Sequence, residues 1–225
     1  MNLTIQGMID EVLADKPVRK RSGKFSPSSF GKCYRAQYWN RKDEPQTNPP
    51  DARTERVFKA GNLFHDFVQG VILSKFPEIK KEVLIDVDPD IVGYADLVNE
   101  VEVSDIKSQN SKSFDYMNNC KDIREDRKPN WLQVMYYAIS LGKQGARLVF
   151  VEKDTLRILE FHQPVDEYWK KEVSNELKTL REYWEKDELP PPKPRAYGGK
   201  EGKYCGWKDK CLKLGFDCIK NKEAK

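Results

Sequence analysis

Between Ile91 and Ser108 the chain reads "IVGYADLVNEVEVSDIKS". Two apolar, β-branched runs flank a polar pair. That is the pattern of two strands, over 91–98 and 101–108, joined by a tight turn at Asn99-Glu100, although the second turn position lacks its usual Gly. Asp96, Asp105 and Lys107 interrupt the apolar runs. Alternation along a strand places Asp105 and Lys107 on one side. Whether Asp96 points at Asp105 depends on the register, which the sequence leaves open. Two carboxylates in apolar strands repel each other, and burying them costs on the order of several kcal/mol. A divalent cation between them removes that penalty. Hard oxygen ligands suit Mg²⁺ or Mn²⁺, and the Ile106 carbonyl can add a third oxygen. Lys107 can orient water or neutralise a phosphate. The chemistry that fits is phosphodiester hydrolysis, with the metal polarising the phosphate and lowering the pKa of a bound water. The plainer alternative is an Asp105–Lys107 pair on an edge strand, worth little.

Outward from this hairpin, residues 53–76 show a helical period, with Phe64, Phe67, Val68, Val71 and Ile72 on one stripe. This helix carries His65, one of two histidines. A neutral imidazole is a common metal ligand or phosphate contact, but a lone helix histidine is more often just a partly exposed residue. A further strand fits 80–87. A helix over about 129–142 starts near Pro129 and ends at Gly142, with Gln133 and Tyr137 four apart on one face. "ARLVFVEK" and "LRILEFHQ" read as two more strands, 165–188 as a long helix, and Pro190 to Pro194 as a stiff extended linker. Residues 3–15 read as a short amphipathic helix. Ser28 or Ser29 would cap a helix that carries Cys33. The order predicts a mixed α/β (α+β) core with cysteine-bearing ends.

The 225 residues suffice for one sizeable domain, and 38% hydrophobic with 11% aromatic residues is a foldable balance. A net charge of +4 does not by itself imply a nucleic-acid partner. The basic clusters "KPVRKRSGK" and "KYCGWKDKCLKLG" are more suggestive, although solvated surface explains each equally well. No apolar run has the length of a membrane span, and the acidic start does not resemble a leader, so the expected address is intracellular. Five cysteines, an odd number, make a poor disulfide framework there. Cys205, Cys211 and Cys218 lie too far apart for the usual zinc pairs, though four thiolates can also hold an iron–sulfur cluster. No Walker-type phosphate loop is present.

The ordered set "GNLFH", "GYAD", "DIK" and "QVMYY" resembles the PD-(D/E)XK nuclease superfamily, in its RecB-type branch. The resemblance runs from about His65 to Tyr137. It implies a restriction-endonuclease-like core in which His65, Asp96 and Asp105 bind metal. Lys107 is then the catalytic lysine, and Gln133 and Tyr137 support the site and position DNA. Asp96 and Asp105 are closer in sequence than that family pattern suggests, which leaves Glu102 as a reserve acid. One cysteine before these motifs and three after them is similar to the iron–sulfur exonucleases, the CRISPR-associated Cas-four-like and AddB-type enzymes. By that likeness Cys33, Cys205, Cys211 and Cys218 hold a [4Fe–4S] cluster that pins the chain ends, and Cys120 is an ordinary thiol. Tyr34, Trp39, Tyr204 and Trp207 would shield it. The implied arrangement is one nuclease domain over 1–225, with its core at about 53–188 and cluster-binding ends at about 26–45 and 195–220. The implied activity is a metal-dependent DNA exonuclease, preferring single-stranded ends and 5′→3′ polarity, in recombination, repair or CRISPR adaptation, with a helicase or integrase as a conceivable partner. Two alternatives stay open: a non-catalytic DNA-binding or assembly protein of the same fold, and a zinc-stabilised RNA-processing nuclease.

Overall fold

The computed structural model describes residues 4–15 and 22–223. The basic run at 16–21 and residue 3 of the first expected helix lie outside them. Helix α1, Ile5–Ala14, starts at Thr4, whose hydroxyl accepts the Gly7 N–H at 3.0 Å. Helix α2 is Tyr34–Arg41, and its cap position is Cys33, with no side-chain capping bond. Ser28 and Ser29 do not cap it as expected; they belong to a 3₁₀ turn, Pro27–Ser29, set one turn earlier. Helix α3, Ala52–Leu73, is capped by Asp51, which accepts the Thr54 N–H at 2.8 Å.

Three strands follow: β1 (Lys80–Asp88), β2 (Ile91–Val98) and β3 (Glu102–Gln109). Short helices α4 (Ser111–Asn118) and α5 (Ile123–Asp126) lead into α6 (Lys128–Ser140). Strands β4 (Gly145–Glu152) and β5 (Ile158–Pro164) and the long helix α7 (Glu167–Glu185) complete the centre. The sheet order is β1-β2-β3-β4-β5, antiparallel except for the parallel β3–β4 pair. A parallel neighbour needs a crossover, and α4 to α6 supply it. The mixed sheet flanked by helices that the sequence led us to expect is therefore present.

The two faces of the sheet bury different partners. On one, Val103, Leu148 and Phe150 pack with Trp131 and Met135 of α6 and with Trp169 and Leu180 of α7. On the other, Leu97, Ile106, Val149 and Val151 pack under α3 through Val68, Phe64 and Ile72. The expected α3 stripe is narrower than its periodicity suggests. Phe67 and Val71 are 51% and 59% exposed, because a single-sided sheet contact uses only the i, i+4, i+8 line of the helix. Among the described residues, no helix is long and apolar enough to cross a membrane.

The turn between β2 and β3 falls one residue later than expected. Val98 pairs with Val103, and the Asn99 N–H donates to the Glu102 carbonyl at 3.1 Å, leaving Glu100 and Val101 at the tip. The Asn99 side chain accepts the N–H groups of Val101 and Glu102 at 2.8 and 2.7 Å. This side-chain turn replaces the missing glycine.

The segments on either side of the central core, around 28–41 and 190–195, converge on α7. Buried Glu176 accepts from the Gly31 N–H at 2.8 Å, the Tyr34 hydroxyl at 3.0 Å and Arg195 Nη2 at 2.6 Å. The proline linker is pinned as well, its Pro190 carbonyl accepting Arg35 Nε at 2.7 Å. Beyond it lie a 3₁₀ segment (Ala196–Tyr204), α8 (Lys208–Lys213) and a small hairpin, β6 (Phe216–Asp217) with β7 (Lys222–Glu223). The sequence reading missed α4, α5, the 3₁₀ segment, α8 and this hairpin.

Candidate active site and thiol cavity

The late turn decides how the two strand acids meet. Continuing the pairing of Val98 with Val103 and Leu97 with Ser104 would set Asp96 opposite Asp105. The ladder stops there. Instead the Asp96 carboxylate accepts the Ile106 N–H through Oδ2 at 2.6 Å, so the side chain fills the opening between diverging strands. The Ile106 group turned to the site by this bond is its N–H.

Asp105 is 1% exposed. Lys107 Nζ lies 2.9 Å from both of its oxygens, donating to Oδ1 and leaving Oδ2 buried without a hydrogen bond. Burial, and then the Asp105 charge, push the Asp96 carboxyl up to about 7. Burial alone would lower the Lys107 ammonium, but Asp105 and Asp96 outweigh it and hold the group above its usual value. From α3, His65 Nδ1 stands 3.5 Å from Asp96 Oδ2. Burial and the Lys107 charge keep its imidazole below the usual value, hence neutral near pH 7.

Helix α6 adds the remaining pair. Gln133 Oε1 accepts from Lys107 Nζ at 3.4 Å, and the Tyr137 hydroxyl is hydrogen-bonded to Gln133 and to the Tyr94 backbone. Tyr137 is buried, and burial raises its hydroxyl well above the usual range. Gly93 exists for this contact, since a Cβ there would come within 2.5 Å of the Tyr137 hydroxyl. The structure thus brings His65, Asp96, Asp105, Ile106, Lys107, Gln133 and Tyr137 together. Glu102 stays apart, paired with Arg147 at 2.7 Å and His162 at 3.3 Å.

Lys107 and Gln133 open onto a cleft of about 500 Å³ whose other walls are Ser28, Ser29, Lys32, Gln109, Ser113, Arg127, Asn130 and Tyr197. Sequence reading singled out Lys32, Arg127 and Tyr197 for nothing. They come from three distant segments and carry no local period. Burial, and then Lys107, push the Lys32 ammonium below its usual value.

Beyond Lys32 lies a second cavity, of about 520 Å³, which Cys33, Cys205, Cys211 and Cys218 all line. Cys218 shares hydrogen bonds with Cys205 and Cys211, which lowers both, Cys211 to about 7. Cys218, hydrogen-bonded to both of them, is raised, and burial pushes Cys33 up to about 11. Trp39, Trp207 and Tyr204 also line this cavity, whereas Tyr34 lies under the Arg195 guanidinium, 3.8 Å from its ring centre. The bare Gly202 is required here, because a Cβ would come 1.9 Å from the Cys218 carbonyl oxygen. Cys120 is not part of the wall. Among the described residues, no three His, Cys, Asp or Glu side chains stand close enough together to hold a metal ion unaided.

No protein-family model matches the chain, and no curated protein does. Among solved structures it is similar to SSO0001, at 18% identity and a TM-score of 0.55, over 89% of this chain and 91% of that one. It also matches LHK-Exo in complex with dAMP at 18% identity and a TM-score of 0.49, over 73% of this chain and 93% of that one. The alkaline exonuclease LHK-Exo from Laribacter hongkongensis matches again at 15% identity and a TM-score of 0.46, over 74% and 94% of the two chains. The likeness to SSO0001 is one of fold.

Proposed function

We propose that the chain is a divalent-metal-dependent nuclease that hydrolyses DNA, as an exonuclease on single-stranded ends, and that its ends hold a [4Fe–4S] cluster. The observation that carries the first part is the pair of buried strand acids: Asp105, whose two oxygens share one Lys107 ammonium at 2.9 Å, beside an Asp96 whose ionisation is suppressed. Two such carboxylates are costly without a cation. Mg²⁺ or Mn²⁺ needs only one or two protein carboxylates when water and substrate phosphate supply the rest, so the absence of a closed three-ligand group is compatible with that chemistry. Asp96 and Asp105 would hold the ion, with His65 beside them. The ion supplies polarisation of the phosphate and acidification of water. Lys107, kept charged by the acids, donates to the phosphate or the attacking water and takes no proton. Gln133 orients Lys107, and Tyr137 holds Gln133. In the reaction, water oxygen bonds to phosphorus, one bridging P–O bond breaks, and the proton that the water gives up balances the one that the leaving oxygen takes.

Cys33, Cys205, Cys211 and Cys218 line one cavity, and four thiolates are the ligand set that such a cluster takes. Cys33, Cys205, Cys211 and Cys218 would be its ligands, and the cluster would supply a covalent tie between the chain ends. Recombination, repair or CRISPR adaptation are settings consistent with this reading, with a helicase or integrase as partner. The test uses anaerobically purified protein. Iron with sulfide, and degradation of end-labelled single-stranded DNA that EDTA stops and Mn²⁺ restores, are expected. Zinc without iron would overturn the cluster, and DNA binding without cleavage at any metal would favour a binding protein of this fold.

A further inference from the structure

The cleft beside Lys107 has a composition that the hydrolytic residues do not explain. Its walls carry three cations, Lys32, Lys107 and Arg127, together with hydroxyls and amides, and no Asp or Glu. Lys107 is balanced by Asp105 at 2.9 Å, behind the cleft wall, and Lys32 has no ion pair of that kind among the described residues. Lys32 Nζ donates at 2.7 Å to the Ser28 carbonyl, a neutral acceptor. Arg127 touches Asp126 at 3.0 Å through Nη1, but its Nε is buried with no hydrogen-bond partner. Such a donor is costly unless something absent from the protein alone accepts from it.

An aromatic ring completes the wall. Tyr197 lies 5.7 Å from the Arg127 guanidinium and has a left-handed backbone, φ +52°, which is strained for a tyrosine. The two glycines after it share that conformation, at φ +62° and +81°. The tail therefore makes a tight left-handed bend that presents one ring at the cleft. Cations, hydroxyls and one ring are the components with which single strands of nucleic acid are held: phosphates on the cations, a base on the ring.

We propose that this cleft is a nucleotide subsite, in which Lys32 and Arg127 bind the backbone phosphate next to the scissile one and Tyr197 stacks on the adjoining base. It rests on the nuclease reading only for the word scissile. The subsite itself would serve a non-catalytic binder equally well.

The test is binding of a fluorescent short oligothymidylate in EDTA, so that nothing is cut, over a series of salt concentrations. Lys32→Gln and Arg127→Gln should each weaken binding about tenfold and reduce the salt slope by about 0.7, the share of one phosphate on a single strand. Lys32→Arg should restore affinity and slope. Tyr197→Leu should weaken binding without changing the slope. Lys171→Gln, on the exposed side of α7, should change neither. Parental affinity and slope in folded Lys32→Gln and Arg127→Gln would overturn the subsite. If those variants cut DNA like the parent, the subsite falls and the nuclease reading stands. If the parent binds with these dependences but cuts nothing with Mn²⁺, the nuclease reading falls and the subsite stands.

Discussion

Asp96 is an acid whose surroundings oppose its charge. Its carboxyl is pushed up to about 7, first by burial and then by Asp105. The native state therefore binds a proton that the unfolded chain releases near pH 4, and this contribution to stability is present at low pH and lost as pH rises toward 7. Asp96→Asn keeps an acceptor for the Ile106 N–H and removes the charge. Thermal melts of the metal-free protein at about pH 8 should show the variant more stable, by on the order of 5 °C, with the gap closing below about pH 4. Mg²⁺ or Mn²⁺ should raise the parent's Tm and leave the variant's unchanged. A parent that melts higher than Asp96→Asn at high pH without metal would count against a charge-stressed site. The two acids and the lysine were legible in the sequence because charges inside β-branched runs stand out. Lys32, Arg127 and Tyr197 were not, because they come together only through tertiary packing.

Elements set the geometry between these residues, and one turn shows how finely. Placing the turn at Asn99-Glu100 puts Asp96 out of step with Asp105. The observed tip at Glu100 and Val101, fixed by two bonds to the Asn99 side chain, sets the register in which Asp96 reaches the Ile106 N–H beside Asp105. Sequence reading favoured the earlier turn because it weighed tip residues and not the acceptor ahead of them. Asn99→Ala should cost about 1 kcal/mol in chemical denaturation. The contact of α6 with β2 is equally exacting. Gly93→Ala should destabilise the protein by about 1–3 kcal/mol, the usual range for overpacking. Adding Tyr137→Phe, which removes the atom 2.5 Å from the new Cβ, should recover part of that loss. No recovery would mean that the ring edge, whose Cε1 lies 3.0 Å from the same Cβ, or Pro27 at 3.1 Å, sets the limit instead.

At the scale of the molecule, the 28–41 segment and Arg195 meet on α7, and from there Lys32 and Tyr197 reach the cleft. The cysteine order suggested that the ends meet; it did not show that a buried carboxylate holds them as well. Glu176 accepts from the 28–41 segment and from Arg195, so Glu176→Ala should strand the Arg195 charge and cost about 3–5 kcal/mol. Hydrogen exchange should rise together in 28–41 and 195–204; a rise in only one segment would show that the ends are held separately. Because Lys32 precedes Cys33 and lines both cavities, the ends and the cleft form one construction around the sheet acids. The central claim concerns those acids. Its most direct test is the rate at which the parent and folded Asp105→Asn degrade end-labelled single-stranded DNA with Mn²⁺. Loss of at least about a hundredfold in the variant, with DNA binding retained, is the expected result. Equal rates in the two proteins would contradict it.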